Sequence, residues 1–295
     1  MKKKIIYLFM FITLFTTGCK KDSMDDITIY TTIYPIEYIT NELYGENSDV
    51  YSIYPNEVIE LTDKLIKDYS NADMFVYNGS NTTEINYAVK MVNLNKNLLP
   101  VIATGYIQNE IKNEELWLNP SNFLSLCSGI RDGIKELIKN TVLRKKIDTN
   151  YEKLQLEISE LDAEIKLLIE NADDNNILVS NDALKFLEKK YNDPNSREKK
   201  INVVSVDNNE DLTNDTINEA KKLIEADKIK YIIMFKDDVL TDEIEKIITD
   251  NNIEKLYFES LTTLSSENKA AGKDYISIMR ENLNILGQEL YEEQK

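Results

Sequence analysis

The chain has 52 aspartates and glutamates, two cysteines and no histidine. Without imidazole, the Ser-His-Asp and Cys-His arrangements that activate a nucleophile cannot be built in their usual form. Imidazole ligation of a metal is excluded for the same reason. Carboxylates are the chemistry that remains. Paired acids can cleave glycosidic bonds when suitably separated, but only their abundance points that way here. No Gly-rich phosphate loop and no nucleophile motif occurs. Eight glycines in 295 residues leave few backbone cradles for anions. The chain therefore reads as a binding protein and not an enzyme, with no organic cofactor expected. Its formal charge of -17 excludes nucleic acid, because counterion release needs a basic surface. The same long-range field favours cations over anions.

The two cysteines have different prospects. Cys19 follows three lysines at positions 2–4 and a 14-residue apolar or small stretch, 5–18. That stretch is short for a permanent bilayer span but right for a signal-peptide core. It ends in Phe15-Thr16-Thr17-Gly18-Cys19. Small residues before a cysteine resemble the bacterial lipobox, in which the chain is cut before the thiol and the thiol is acylated. Residues 1–18 are accordingly expected to be a lipoprotein signal peptide, with Cys19 as lipidation site and 19–26 as a polar tether. Several acyl chains would hold the protein at the membrane surface. Losing the three lysines carries the charge from -17 to -20. Cys127 is then a lone thiol without a disulfide partner, read as a small buried apolar residue.

Positioning any site falls to the elements. Residues 27–33, 50–54, 73–77 and 98–103 carry strand composition, with helical patterns at 37–43 and 62–72 between them. Asn78-Gly79 marks a turn. Strands are expected again at 176–180, 201–206, 230–235 and 255–259, and helices at 182–191, 213–226, 242–250 and 274–291. Such alternation predicts parallel sheets with helices on their faces. Between Gly133 and Pro194 there is neither glycine nor proline. Ile147, Tyr151, Leu154, Ile158, Leu161, Ile165 and Leu168 alternate at spacings of four and three, placing one apolar stripe along a long helix. That stripe fits a helix laid across its own lobes or a coiled-coil dimer. The fold class expected is α/β, with two lobes, 27–140 and 174–295, each a mainly parallel sheet with flanking helices. One long rigid helix, 141–173, joins them. A ligand would sit in the cleft between the lobes.

Four segments resemble the metal-specific solute-binding lipoproteins of ABC importers, the cluster that includes zinc and manganese binders. They are Tyr30-Thr31-Thr32-Ile33-Tyr34-Pro35, Ser70-Asn71-Ala72-Asp73-Met74-Phe75-Val76-Tyr77-Asn78-Gly79, Leu116-Trp117-Leu118-Asn119-Pro120 and Asp274-Tyr275-Ile276-Ser277-Ile278-Met279-Arg280-Glu281-Asn282-Leu283. The resemblance spans nearly the whole mature chain and implies two α/β lobes on one long helix. It also implies a metal held between the lobes, largely by histidines, none of which is present. Counting from the matched segments, Glu57 stands where the first histidine would be, and Glu115, two residues before Trp117, stands for the second. Asn181 in Ser180-Asn181-Asp182-Ala183 fills the third ligand position, and Glu259 matches the final acid. A further acid of the family pattern is missing at Phe235-Lys236-Asp237, as is the proline beside the first ligand.

The implied metal site is therefore Glu57, Glu115, Asn181 and Glu259. Oxygen donors suit manganese, calcium and magnesium, while zinc prefers Cys and His but accepts carboxylates. The stretch 105–114 is short and has no His-rich loop of the kind found in zinc members. The function implied is capture of a divalent ion, Mn2+ or Zn2+, for an ABC permease. The protein would be a lipid-anchored monomer on the extracytoplasmic face of the cell membrane. The alternative is a family scaffold that has lost metal binding and takes a partner protein or organic ligand, with Tyr51, Tyr54 and Tyr87 as a contact surface.

Overall fold

A computed structural model describes residues 24–107, 111, 114–195, 200–209 and 212–291. The signal segment and Cys19 lie outside these residues. The first sheet grows from short β-branched and aromatic runs. Strand β1 (Ile27–Thr31) alternates buried and half-buried side chains, and β3 (Met74–Tyr77) is buried throughout. Between them lie α1 (Tyr34–Tyr44), β2 (Ser48–Ser52) and α2 (Asp63–Tyr69). Pro35 starts α1, where its missing N–H costs nothing. The Thr62 hydroxyl accepts from Leu65 N and caps α2. Helix α3 (Thr82–Leu94) and β4 (Leu99–Ile102) complete the sheet. A helix over 82–94 is not among the sequence expectations; Asn81 starts it by accepting from the amides of Thr83 and Glu84. Beyond lie the single turn α4 (Glu115–Leu118), α5 (Pro120–Leu137) and α6 (Thr141–Glu170).

The second lobe repeats the plan with β5 (Asn176–Val179), α7 (Phe186–Tyr191), β6 (Asn202–Ser205), α8 (Asn214–Glu225), β7 (Tyr231–Phe235), α9 (Asp242–Asp250) and β8 (Glu254–Phe258). A short α10 (Ser266–Ala270) and a closing α11 (Tyr275–Leu290) follow. The helix expected over 182–191 is two pieces, a 3-10 turn at Asp182–Lys185 and then α7. The Asn181 side chain forces this tight start by accepting from Ala183 N. All pairings are parallel, in the orders β2-β1-β3-β4 and β6-β5-β7-β8. Strand order reverses between β1 and β3, and again between β5 and β7, which opens a crevice at the carboxyl edge of each sheet.

Helix α6 joins the lobes and runs about 45 Å at 1.5 Å per residue. Its first half belongs to the first lobe. Asn150 Nδ2 donates to Leu43 O on α1 at 3.0 Å, and Tyr151 and Ser128 share a 2.9 Å hydroxyl contact with α5. Its second half belongs to the second lobe. Asp162 accepts from Tyr191 OH at 2.6 Å, and Arg280 on α11 pairs with Glu164. Of the expected stripe, Ile147, Leu154, Ile158, Leu161 and Ile165 are buried within their own chain together with Leu143 and Ile169, while Tyr151 and Leu168 are half-buried, so the coiled-coil reading is not needed. One apolar core runs through the first lobe, along α6 and into the near layer of the second. A smaller one fills the outer layer of the second lobe under α8 and α9.

Candidate metal-binding cleft

The two sheets turn their carboxyl ends toward each other. Tyr34 N, beyond β1, donates to Thr262 O, beyond β8, at 3.0 Å. Trp117 Nε1, on α4, donates to Ser260 O at 2.7 Å. Lys269 Nζ, on α10, donates to Pro55 O in the loop after β2. Tyr275 OH, on α11, donates to the carbonyl of Trp117. Between Ser260 and Thr262, the buried Leu261 sits at φ 61°, an uncommon conformation for a residue with a Cβ. The two flanking carbonyls, gripped by the other lobe, hold it there.

Of the predicted ligands, Glu57, Asn181 and Glu259 follow β2, β5 and β8, and Glu115 opens α4. Glu57 is exposed in the 55–60 segment, whose entrance is held from the other lobe by Lys269. Glu115 opens α4 with a largely covered carboxylate, 3.9 Å from Lys189 Nζ. Asn181 follows β5; its Oδ1 caps the 3-10 turn and its Nδ2 donates to Asp238 Oδ1 at 3.3 Å. Glu259 follows β8 and accepts from Lys236 Nζ at 2.6 Å, while its backbone is clasped by the Asn282 amide in both directions. That contact holds the Lys236 ammonium above its usual range. Among the described residues, no group of three or more acidic or thiol side chains is gathered so as to hold a metal ion. Two of the three carboxylates face a lysine.

Two acids at the strand-order reversals do not figure in the sequence reading. Asp238 accepts from Phe235 N (3.0 Å), Ser180 Oγ (2.5 Å) and Asn181 Nδ2. It ties the end of β7 to the residue after β5 and orients the Asn181 amide. Its sequence signal is proximity: it lies one residue past the Phe235-Lys236-Asp237 run where an acid is missing. Glu84 stands at the matching crevice of the first lobe. It is 2% exposed, and one carboxylate oxygen has no hydrogen-bond partner. Burial pushes its carboxyl up to about 7 against stabilising bonds from the Thr32 hydroxyl and the Asn78 backbone. In the sequence Glu84 is one acid among 52, in a stretch where no element is expected. The tyrosine surface is corrected. Only Tyr51 is exposed; Tyr54 and Tyr87 are core residues, and Tyr87 OH accepts from Leu61 N. Their rings fill the lobe because the loop after β2 folds back over α3.

The sequence profile of the ZnuA family, zinc-uptake complex component A, periplasmic, matches residues 29–289. The chain belongs to this family. Among similar proteins, the zinc-binding protein AdcA of Streptococcus pyogenes serotype M1 is 23% identical over 97% of this chain and 61% of its own length. The chain thus spans about three-fifths of that relative. The metal ABC transporter substrate-binding lipoprotein ScbA of Streptococcus cristatus is 23% identical over 97% of both chains. The crystal structure of the Zn(II)-bound ZnuA-like domain of Streptococcus pneumoniae AdcA superposes with a TM-score of 0.69 at 20% identity, covering 90% of this chain and 99% of that one. It shares the fold of two parallel-sheet lobes on one long helix. This ZnuA-family chain reaches that fold without a single histidine.

Proposed function

We propose that this ZnuA-family chain is the solute-binding component of an ABC importer and captures a divalent metal ion, Mn2+ or Zn2+, in the cleft between its lobes. The observation that carries the reading is the family match over both lobes. The contact between the lobes through segments that follow their strand ends supports it. Glu57 and Glu115 reach the cleft from the first lobe, and Asn181, through its amide oxygen, and Glu259 from the second. An all-oxygen set favours a hard cation, and waters complete its shell. The names of AdcA and ScbA support a metal as cargo. An acylated Cys19 would hold the protein on the extracytoplasmic face of the membrane beside its permease. Among the described residues, no helix is long and apolar enough to cross a membrane. The role is one of capture and delivery, with no catalytic step.

The test uses the chain from residue 20 onward, which contains every element of both lobes, stripped with chelator. It is titrated with Mn2+, Zn2+, Fe2+ and Ca2+ while melting and bound metal are followed. A ligand at 100 times its Kd stabilises by about 2.7 kcal/mol, which raises Tm by about 5–10 °C for a chain of this size. Glu57→Ala or Glu259→Ala should weaken binding at least about tenfold, since loss of even an outer-shell partner costs that much. No stoichiometric response to any of the four metals would overturn the proposal and leave a partner protein or organic ligand as the cargo.

A further inference from the structure

The strands that carry Glu259 and Lys236 are in register. Phe235 lies opposite Phe258 in the parallel β7–β8 pair. The next residues on each strand, Lys236 and Glu259, therefore leave the sheet side by side. Their side chains meet at 2.6 Å, with Lys236 62% and Glu259 30% exposed. Glu267, on α10, and Asp237 lie within electrostatic reach of the same ammonium. The lysine thus stands on the cleft edge with acids around it and its charge on the carboxylate assigned to the metal.

We propose that Lys236 is a resident competitor for the metal: its ammonium fills the cation position at Glu259 and must swing out before a divalent ion binds there. The inference rests on the reading of Glu259 as a ligand. Its physical basis is simple. The ammonium 2.6 Å from Glu259 Oε1 takes up the face of that oxygen where a metal would bond, and two cations crowded on one carboxylate repel. The lysine is long, flexible and largely exposed, so it can retreat into water with little disturbance of the fold. The arm that leaves on loading returns on unloading, so it lowers affinity and offers the carboxylate a replacement when the ion departs to a permease. Lys236 thereby sets the affinity of the site without ever being a ligand.

The experiment compares wild type, Lys236→Met, Lys236→Arg and Glu259→Gln by calorimetric titration of Mn2+ and of Zn2+, with melting curves to confirm folding. Lys236→Met should bind about three- to tenfold tighter, the scale of an exposed ion pair plus the relieved repulsion. Lys236→Arg, which keeps the charge, should stay near wild type. The gain should shrink at high salt and vanish in the Lys236→Met, Glu259→Gln double variant. Wild-type binding with unchanged or weaker affinity in a folded Lys236→Met overturns this proposal and leaves the metal-receptor reading standing. Absence of binding in wild type and Lys236→Met alike overturns both. Binding in Lys236→Met alone supports the competitor role and rejects metal capture by the native chain.

Discussion

A single buried carboxyl makes the clearest pH-dependent statement about this molecule. Glu84 is pushed up to about 7 by desolvation, with Tyr54 against it and the Thr32 hydroxyl and Asn78 backbone opposing the shift. A carboxyl raised in the folded state binds more protons there than in the unfolded chain, so stability falls as pH rises through that window. The cost is absent below about pH 4.5, grows toward pH 7 and is constant above it. Its full size is about 3 kcal/mol at 1.36 kcal/mol per pKa unit. Glu289, raised to about 7 by burial although it accepts from the amides of Lys230 and Tyr231, acts in the same direction. Glu84→Gln should therefore stabilise the fold by about 1–3 kcal/mol at pH 8 and by nothing at pH 4. Urea midpoints at the two pH values check this, and an equal effect at both would reject it. Asp238 is an acid satisfied by three donors. Asp238→Ala strands those donors and should cost about 2–3 kcal/mol. It should also weaken any ligand that Asn181 contacts, which titration of the same variant would read.

At the level of elements, one close approach decides how the first lobe packs. Gly129 and Gly133 lie one turn apart on α5, facing β4. A Cβ on Gly129 would come within 2.2 Å of Ala103 O, and one on Gly133 within 2.5 Å of Val101 Cγ1. The first neighbour is backbone and has nowhere to go. Gly129→Ala must push α5 off the sheet and should cost about 1–3 kcal/mol, despite the better helix propensity of alanine. The corresponding change at Gly133 meets a side-chain methyl and should cost less. Thermal unfolding of the two variants gives the order. Along α6, burial is continuous from Leu143 to Ile169. Ile158, fully buried near the middle, should lose about 2–5 kcal/mol on truncation to alanine.

Across the whole molecule, the lobes are fastened to each other as well as to α6. Tyr275 is fully buried, stacks on Phe123 at 4.1 Å and donates its hydroxyl to Trp117, whose indole in turn reaches Ser260. Tyr275→Phe keeps the stacked ring but leaves a buried carbonyl without its donor, a loss of about 1–2 kcal/mol. Because the main core continues across this junction, the loss should appear as an earlier single transition. Fluorescence of Trp117 and far-UV dichroism should still coincide; separate transitions would show that the lobes unfold independently.

The order of the strands and of most helices, α3 excepted, was legible in the sequence because each depends on local patterns. Alternating β-branched runs marked both sheets, and the four-and-three spacing from Ile147 to Leu168 marked α6. The family resemblance, too, was carried by contiguous segments. Local patterns do not report what surrounds a side chain. Glu84 draws no attention until α3 lays it on the sheet, and Tyr54 and Tyr87 read as a surface until the loop after β2 closes over them. The acids assigned as ligands could be named from position alone. That Glu259 meets Lys236 follows from the register of two strands separated by a full helix, and that Asn181 is oriented by Asp238 follows from the β5–β7 neighbourhood. Element identity is set by residues a few positions apart. The charge balance of the cleft is set by residues brought together from distant parts of the chain, and only the tertiary fold decides those pairings.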